Sequence, residues 1–323
     1  MSTQPMLAVR VCEVRHAALD VLSFVLAPVD GGPLPACTAG AHIDVALPNG
    51  MLRQYSLCQT GPALRLYEIA VLHDRDGRGG SACAHRDIRP GDTLMISPPR
   101  NLFPLLPTGR PVLFAGGIGI TPILAMAEAL HAAGRDFELH YCSRSPERAA
   151  YRDTLARSAY APQLRLYHDS APEAGRLDAE AVLRRAGADA HLYVCGPAGF
   201  ISHVCSAARQ AGWDEGRVHF EHFAAPAAVA PPGGNGSFEL LLARRGLRVP
   251  VAAEQTAAEA LLAAGVDISL SCEQGVCGAC VLPVLDGLPD HRDVFLSPAE
   301  REANRCFTPC CSRALSPSLT IDL

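Results

Sequence analysis

The chain of 323 residues has almost no excess of either charge, which excludes one class of partner. Its 28 basic and 33 acidic residues give a formal net charge of −5 at pH 7. Proteins that bind nucleic acid through its phosphates present a strongly basic surface. We therefore expect no nucleic-acid partner.

Long uninterrupted apolar segments are also missing. Residues 1–10 contain no apolar core, so we expect no secretory signal peptide. Residues 111–130 are apolar, but three glycines, Pro122 and Glu128 interrupt them; a strand, a glycine turn and a helix explain them better than a membrane span. The 13 cysteines are only a small fraction of the chain and do not indicate a disulfide scaffold. A cytoplasmic chain with reduced cysteines and no membrane association fits best.

Three closely spaced cysteines near the C-terminus form the most informative motif. Cys272, Cys277 and Cys280 follow the spacing C-x4-C-x2-C, which is typical of the plant-type loop that binds a [2Fe–2S] cluster. Small residues in the loop suit a backbone that wraps closely around sulfide. The alternative is a zinc knuckle or a disulfide pair, although zinc sites usually contain paired C-x2-C units and only one is present. A cluster needs four thiolates, and the candidates for the fourth are Cys306, Cys310 and Cys311.

An uncharged segment rich in Ala, Pro and Gly divides the chain near its C-terminal third. Residues 224–236 are predicted to be a linker. Beyond it, apolar runs at residues 238–242 and 247–251 predict a β-hairpin, and Thr256 is expected to cap a helix. Residues 237–323 are therefore predicted to form a compact α+β module.

The first 223 residues fall into two regions with different patterns. Up to residue 107, short β-like runs separated by turn signals predict a small antiparallel barrel. From residue 108 to 223, apolar runs alternate with helical stretches, which is typical of an open parallel α/β sheet. Three domains are thus predicted: 1–107, 108–223 and 237–323.

One predicted strand of the barrel carries a cation and an aromatic ring. In Arg53-Gln-Tyr-Ser-Leu57, alternation places Arg53, Tyr55 and Leu57 on one face and Ser56 on the other. Such a face could hold a phosphate and stack a flat ring. Most strands of this kind are merely amphipathic, so the motif alone is weak.

A glycine-rich segment, Gly77-Arg-Gly-Gly-Ser81, precedes a predicted short helix. Glycines followed by Ser at a helix start form a nest of backbone N–H groups that binds anions. A flexible surface turn is the alternative.

Two glycine-containing turns are predicted at the carboxyl ends of strands in the second region. Residues 112–122 indicate strand, glycine turn and helix start, although they depart from the G-x-G-x-x-G fingerprint. Thr121 is expected to cap that helix, whose N-terminus would accept a pyrophosphate. Residues 194–199 repeat the arrangement, so the two turns would mark the ligand edge of the sheet. Cys195 in the second turn could equally be a small buried residue.

Taken together and in this order, the motifs resemble the ferredoxin–NADP reductase superfamily. They are Arg53-x-Tyr-Ser56, Gly79-Gly-Ser81, Ala115-Gly-Gly-Ile-Gly-Ile-Thr-Pro122 and Cys195-Gly-Pro197. With a plant-type ferredoxin segment after them, the order is similar to the phthalate dioxygenase reductase family. The ending, Asp290-His-Arg-Asp-Val-Phe-Leu-Ser-Pro298 and Phe307-Thr-Pro-Cys-Cys-Ser-Arg313, is similar to reductases of the vanillate O-demethylase type.

The resemblance implies a multidomain fold and a set of site residues. The fold would comprise an antiparallel β-barrel that binds flavin, an α/β parallel-sheet nucleotide domain and an α+β β-grasp ferredoxin domain. The residues implied to bind FMN are Arg53, Tyr55, Ser56, Leu57, Gly79, Gly80 and Ser81. Those implied to bind NADH are Gly116, Gly117, Gly119, Thr121, Arg144, Cys195, Gly196 and Pro197. Ser56, Cys195 and Phe223 would lie at the reacting rings.

The resemblance also implies an oxidoreductase and its route of electrons. Electrons would pass from NADH through FMN and the [2Fe–2S] cluster to a terminal oxygenase of the Rieske type, in the catabolism of aromatic compounds. FMN is favoured over FAD because the barrel has no evident segment for an adenosine half. NADH is implied, although Ser143, Arg144 and Arg148 form a basic cluster that would also fit the 2′-phosphate of NADPH. The alternatives are a reductase for a cytochrome P450, or a redox sensor, which would leave the flavin and nucleotide motifs without a purpose.

The same resemblance favours Cys310 as the fourth cluster ligand. The residues 281–309 separate it from Cys280, as in plant-type ferredoxins, and Ser312-Arg313 fits the family best in that register. In an extended segment Cys310 and Cys311 would face opposite sides, so only one of them would reach the cluster.

Overall fold

The computed structural model describes residues 6–171, 175–223 and 235–323, so residues 224–234 of the predicted linker lie outside the described residues. The chain divides into two compact units, Met1–Glu221 and His222–Leu323. The first unit contains an antiparallel and a parallel sheet, and the second contains a mixed sheet. Within the described ranges, no helix has both the length and the apolar character needed to cross a membrane.

The antiparallel sheet comes first in the chain. Its elements are β1 Leu7–Ala18, β2 Val21–Pro28, β3 Ala41–Ala46, β4 Leu52–Ser56, β5 Tyr67–Leu72, α1 Gly80–Asp87, β6 Thr93–Ile96 and β7 Arg100–Asn101. The strand order is β4-β3-β6-β1-β2-β5, with β7 paired to β3. A bridge between Leu57 and Ile69 joins the two ends of the sheet, as closure into the predicted barrel requires. The interior is filled by side chains that are almost fully buried: Phe24, Leu26, Ile43, Tyr67 and Ile96.

The parallel sheet follows, and its strands alternate with helices as predicted. Its elements are β8 Arg110–Gly116, α2 Ile120–Ala132, β9 Glu138–Ser143, α3 Arg152–Ala156, β10 Leu164–His168, α4 Ala179–Arg185, β11 Ala190–Cys195, α5 Ala198–Gln210 and β12 Val218–Glu221. Neighbouring strands pair in parallel, in the order β10-β9-β8-β11-β12. The chain proceeds outward in opposite directions from β8 and from β11. The carboxyl ends of these two strands therefore flank the topological switch point, where such sheets bind ligands.

One predicted detail of this sheet is wrong. Thr121 does not cap α2, because the helix begins at Ile120, two residues before the predicted start at Pro122, and Gly119 is the capping residue, without a side-chain hydrogen bond. The hydroxyl of Thr121 instead donates to the carbonyl oxygen of Ile118 at 3.1 Å. Thr121 is 2% exposed, so its side chain stabilises the turn from inside.

The second unit is a mixed sheet packed against a helix, as expected of a β-grasp fold. Its elements are β13 Phe238–Leu242, β14 Leu247–Val251, α6 Ala257–Ala263, β15 Leu282–Asp286, β16 Pro289–Asp290, α7 Pro298–Ala303, β17 Cys306–Phe307, β18 Arg313–Ala314 and β19 Ser318–Ile321. The main order is β14-β13-β19-β15-β17, with β13 and β19 parallel, and β16 pairs with β18. The predicted hairpin is confirmed, since Phe238 pairs with Val251. Thr256 caps α6 as predicted, in a reciprocal capping box with Glu259.

Candidate cofactor sites

The strand β4 carries the first group of predicted site residues. Tyr55 is partly buried against the barrel core, and burial raises the pKa of its hydroxyl, so the ring is uncharged at pH 7. Ser56 is 6% exposed and lies opposite His42 of β3. Leu57 is 1% exposed, and its N–H donates to the carbonyl oxygen of Ala41. The Leu57 side chain therefore packs in the barrel core, and a role of Leu57 at the flavin stays a prediction.

Arg53 lies directly against the glycine loop that precedes α1. A Cβ atom placed on Gly80 would lie 2.9 Å from Nε and 3.1 Å from Cγ of Arg53. Gly79 is the residue before the helix, and the hydroxyl of Ser81 accepts the N–H of Asp74 at 3.0 Å, which closes the loop. A guanidinium group thus meets a helix N-terminus, and both favour a phosphate. The structure brings together the two motifs that the sequence predicted to share one ligand.

The two glycine-containing turns of the parallel sheet lie against each other at the switch point. A Cβ atom on Gly119 would overlap the carbonyl group of Cys195, and one on Gly116 would lie 2.7 Å from the ring of Phe200. A Cβ atom on Gly196 would lie 3.0 Å from the Cα of Gly116. Gly119 and Gly196 are crowded by the backbone of the facing turn, and Gly116 is crowded by the side chains of Phe200 and Pro197. Packing between the turns therefore requires glycine at these positions, and the approach of a pyrophosphate to them stays a prediction.

Gly117 differs from the other glycines of these turns. It has a φ of +53°, and no atom lies within 4 Å of the position that its Cβ would take. The space beside it is therefore open. Pro197 begins the facing helix α5 as its capping residue, and its ring lies 3.1 Å from the Cβ position of Gly116.

A residue that the sequence reasoning missed lies beside Cys195. Glu221 ends β12 and pairs in register with Cys195. Among the described residues its Oε2 has no hydrogen-bond partner, and burial raises its pKa to about 8. Burial also raises the pKa of the Cys195 thiol, so both side chains are neutral at pH 7. The sequence feature that could have pointed to Glu221 is a carboxyl-bearing residue at the carboxyl end of a parallel strand, where such sheets bind ligands.

The structure divides the basic cluster that follows β9. Ser143 is 8% exposed, and its hydroxyl donates to the carbonyl oxygen of Ser145 at 2.9 Å. Nη1 of Arg148 donates to Oδ2 of Asp20, in the turn between β1 and β2, at 3.0 Å. Arg144 is the member of the cluster that is largely exposed. The three residues therefore do not act as one group.

The chain beyond β12 begins the second unit. Phe223 is partly buried there, and its place beside a flavin stays a prediction. Gly236, the last residue of the predicted linker, is described, and its carbonyl oxygen accepts a hydrogen bond from Nη2 of Arg313 at 2.9 Å. The C-terminal end of the predicted linker is thus fastened to the second unit.

The four predicted cluster cysteines are all buried in the second unit. Their exposed fractions are 6% for Cys272, 9% for Cys277, 4% for Cys280 and 7% for Cys310. The N–H of Gln274 donates to Sγ of Cys272 at 3.3 Å, and that of Ala279 donates to Sγ of Cys277 at 3.5 Å. A hydrogen bond between Cys272 and Cys277 lowers the pKa of Cys272 and raises that of Cys277, so the two thiols share a proton when no metal is bound. Burial and N–H contacts to sulfur thus fit a cluster at this loop.

The surroundings of the three candidate fourth ligands differ. Cys310 forms a small buried group with Cys280, whereas Cys306 lies on β17 and is partly exposed. The predicted extended segment is wrong: the N–H of Cys311 donates to the carbonyl oxygen of Thr308, which makes a turn. Sγ of Cys311 lies 3.4 Å from Oγ1 of Thr308. No three His, Cys, Asp or Glu side chains in the described part of the chain are spaced as metal ligands. Cys311 packs against the same group as Cys280 and Cys310 but is less buried than Cys310, and the choice of Cys310 as the fourth ligand stays a prediction.

A buried carboxylate supports the cluster loop, and the sequence reasoning missed it. The side chain of Asp293 has no exposed surface, and its Oδ2 accepts the N–H groups of Phe295 at 3.0 Å and Leu296 at 2.7 Å. A Cβ atom on Gly275 would lie 2.9 Å from Cα of Asp293, and one on Gly278 would overlap the ring of Phe295. Gly275 is crowded by the thiol of Cys311 and the turn at Asp293, and Gly278 is crowded by the ring of Phe295. Both glycines also have a left-handed φ, of +71° and +68°, which favours glycine at these positions.

Comparisons with known proteins agree with this geometry. A sequence model of the 2Fe-2S iron-sulfur cluster binding domain matches residues 241–315, and one of the N-terminal domain of dimethylamine monooxygenase subunit DmmA-like proteins matches residues 98–218. A vanillate O-demethylase oxidoreductase from a Pseudomonas species is 48% identical over 98% of this chain and 100% of the relative. The chain belongs to the vanillate O-demethylase oxidoreductase family. The predicted resemblance is confirmed.

Solved structures show the fold of this family. Phthalate dioxygenase reductase, a modular structure for electron transfer from pyridine nucleotides to [2Fe-2S], is 37% identical, with a TM-score of 0.78 over 98% of both chains. An intact type IV self-sufficient cytochrome P450 monooxygenase is 40% identical, with a TM-score of 0.84 over 98% of this chain and 41% of that one. The match to a 2Fe-2S domain favours the cluster over the zinc alternative, and none of the 13 cysteines, all of them described, is in a disulfide.

Proposed function

We propose that the chain is the NADH-dependent reductase component of an oxygenase system, with FMN and a [2Fe–2S] cluster as its cofactors. The observation that carries the proposal is the packing of Arg53 against a helix start, an arrangement suited to a phosphate, in the same chain as four buried cysteines. Family membership supports it, since relatives are named as an oxidoreductase and as reductase subunits of monooxygenase systems. Flavin accepts an electron pair and releases single electrons, which is the chemistry needed between a nicotinamide and a cluster.

Different residues of the first unit bind the flavin and the nicotinamide nucleotide. Arg53 and the Gly79–Ser81 loop hold the phosphate of FMN, and Tyr55 offers an uncharged ring surface to the flavin. The open space at Gly117 admits the nicotinamide nucleotide at the switch point. Glu221 holds a proton at pH 7, so no negative charge from its carboxyl group faces that site.

The acceptor proposed for the electrons is a terminal oxygenase of the Rieske type that acts on aromatic compounds, as the relative named vanillate O-demethylase oxidoreductase suggests. A cytochrome P450 is the second candidate, because a self-sufficient P450 monooxygenase contains a region similar to this whole chain. Reduction of each purified oxygenase by the full chain and NADH separates the two. The free cysteines support the proposed cytoplasmic location.

The flavin assignment is tested by Arg53→Ala. Loss of the guanidinium fork is expected to release FMN on purification while the cluster absorbance persists. Arg53→Lys, which keeps the charge but not the fork, is the matched control and should retain part of the flavin. Full flavin occupancy in Arg53→Ala would contradict the assignment.

The cluster assignment is tested by Cys310→Ala and its neighbour Cys311→Ala. Cys310→Ala is expected to abolish the [2Fe–2S] absorbance and EPR signal, because a ligand thiolate is lost. Cys311→Ala should keep both signals. The reverse result would move the fourth ligand by one residue.

A further inference from the structure

Arg148 lies at the ligand edge of the parallel sheet but contacts the barrel. It ends the short helical turn Pro146–Arg148, which closely follows the carboxyl end of β9. Its Nη1 donates to Oδ2 of Asp20 at 3.0 Å, and the side chains of the pair are 37% and 19% exposed. Nη2 of Arg75 lies 3.5 Å from the other oxygen of Asp20. Asp20 of the barrel thus binds Arg148, which lies near the carboxyl end of β9, on the edge of the sheet where the nucleotide is proposed to bind.

Neighbouring contacts keep Arg148 in this orientation. On one side of it, the N–H of Leu19 donates to the carbonyl oxygen of Glu147 at 2.7 Å. On the other side, the hydroxyl of Tyr151 donates to Oε1 of Glu68, on β5, at 2.9 Å. Tyr151 has a left-handed backbone with a φ of +58°, a conformation that persists where surrounding contacts enforce it. Residues 147–151 therefore contact the barrel through Glu147, Arg148 and Tyr151.

We infer that Asp20 is a specificity-determining residue that withholds Arg148 from a 2′-phosphate and so makes the nucleotide site select NADH over NADPH. This inference rests on the proposed function, since it concerns the same nucleotide site. A guanidinium group binds phosphate through a planar fork of N–H donors, and the ion pair with Asp20 engages Nη1, one of the two terminal nitrogens of that fork. A bidentate contact of Arg148 with the 2′-phosphate of NADPH would have to draw Nη1 away from Asp20, which would keep only the longer contact with Arg75.

The test is Asp20→Ala, with Asp20→Asn as a second variant that keeps the side-chain volume. Steady-state oxidation of NADH and NADPH by the full holoenzyme is measured with ferricyanide as acceptor. The ratio of kcat/KM for NADPH to that for NADH is expected to rise about tenfold, the factor that one charge-assisted hydrogen bond contributes. Inhibition by 2′,5′-ADP should strengthen by a similar factor, with no comparable change for 5′-AMP.

Arg148→Ala supplies the matched control. The double variant Asp20→Ala/Arg148→Ala is expected to return to the wild-type ratio, because the gain depends on the released guanidinium. A merely structural role of Asp20 would weaken both nucleotides alike, and that result overturns the inference. An unchanged ratio in both Asp20 variants, or a gain that survives in the double variant, also overturns it. A wild-type chain that prefers NADPH overturns this inference alone, whereas one that oxidises neither nucleotide overturns the proposed function as well.

Discussion

The nucleotide site of the parallel sheet and the cluster loop of the second unit both depend on glycine, but for different reasons. In the parallel sheet, Gly119 is small because the turn at Cys195 lies against it backbone to backbone. In the cluster loop, Gly275 has a left-handed φ of +71° and packs against the turn at Asp293. The first site depends on strand ends that the sheet topology brings together, and the second depends on a side-chain-supported turn within one small unit. A substitution in the first site should therefore destabilise the parallel sheet, whereas a substitution in the cluster loop should destabilise the second unit alone.

Gly119→Ala is expected to have the largest effect. Its Cβ would overlap the carbonyl group of Cys195, and neither backbone can yield without moving a strand end. We expect a loss of about 3 kcal/mol in the free energy of unfolding of the first unit, as in overpacked cores, together with loss of NADH oxidation. Thermal unfolding and ferricyanide reduction measure both.

Gly117→Ala is the control for that prediction. The space around Gly117 is open, so its cost is about 1 kcal/mol, from the left-handed conformation alone. Equal losses in the two variants would show that backbone contact between the turns does not distinguish these glycines.

Asp293→Ala tests whether damage to the cluster loop stays local. The change leaves one buried and one partly buried N–H group without an acceptor, which is expected to cost the second unit about 2 kcal/mol. Cluster absorbance should be lost at a lower temperature, while NADH oxidation with ferricyanide persists. Asp293→Asn, which retains one acceptor oxygen, should lose less. If NADH oxidation were lost at the same temperature as the cluster absorbance, the effect of the substitution would not be confined to the second unit.

Glu221→Gln tests the electrostatics of the first site. The pKa of Glu221 is raised from 4.5 to about 8, so the folded chain holds a proton that the unfolded chain releases. This contribution to stability is complete below pH 4.5 and is lost as the pH rises toward 8. The variant should therefore gain stability relative to the wild type with rising pH, by about 1 kcal/mol per pH unit across that window. Denaturant unfolding at a series of pH values measures the difference, and parallel pH profiles would contradict it.

Thr256→Ala tests how much a side-chain cap contributes to the start of one helix. Thr256 accepts the N–H of Glu259 and caps α6, whereas α2 in the first unit starts without a side-chain cap. The loss is expected to be about 1 kcal/mol in the second unit, measured by denaturant unfolding. Thr256→Ser keeps the hydroxyl and should be close to the wild type. An equal loss in both variants would mean that the methyl group, rather than the cap, is responsible.

Much of the fold could be predicted because its signals are local. The hairpin of Phe238–Leu242 and Leu247–Val251 has the predicted bounds, since alternation and turn residues lie within a few positions of each other. The spacing from Cys272 to Cys280 likewise indicates a cluster, because the three cysteines lie within one short loop of the chain. The missed residues differ in this respect: Glu221 pairs with Cys195, which is distant in sequence, whereas Asp293 accepts the N–H groups of the nearby Phe295 and Leu296 and is buried only by the fold. No pattern in one sequence shows that a carboxyl group will lose its solvent.

The sequence by itself determined the order of the modules, the periodicity of their strands and the identity of the ligand-bearing motifs. Only the tertiary structure decided that Arg53 meets Gly80, that Asp20 holds Arg148 and that the turns at Gly119 and Cys195 touch. Propensity and spacing act over a few residues, and they are readable in the chain. Close packing and ion pairing depend on distances between segments far apart in sequence, and those distances exist only once the sheets have formed.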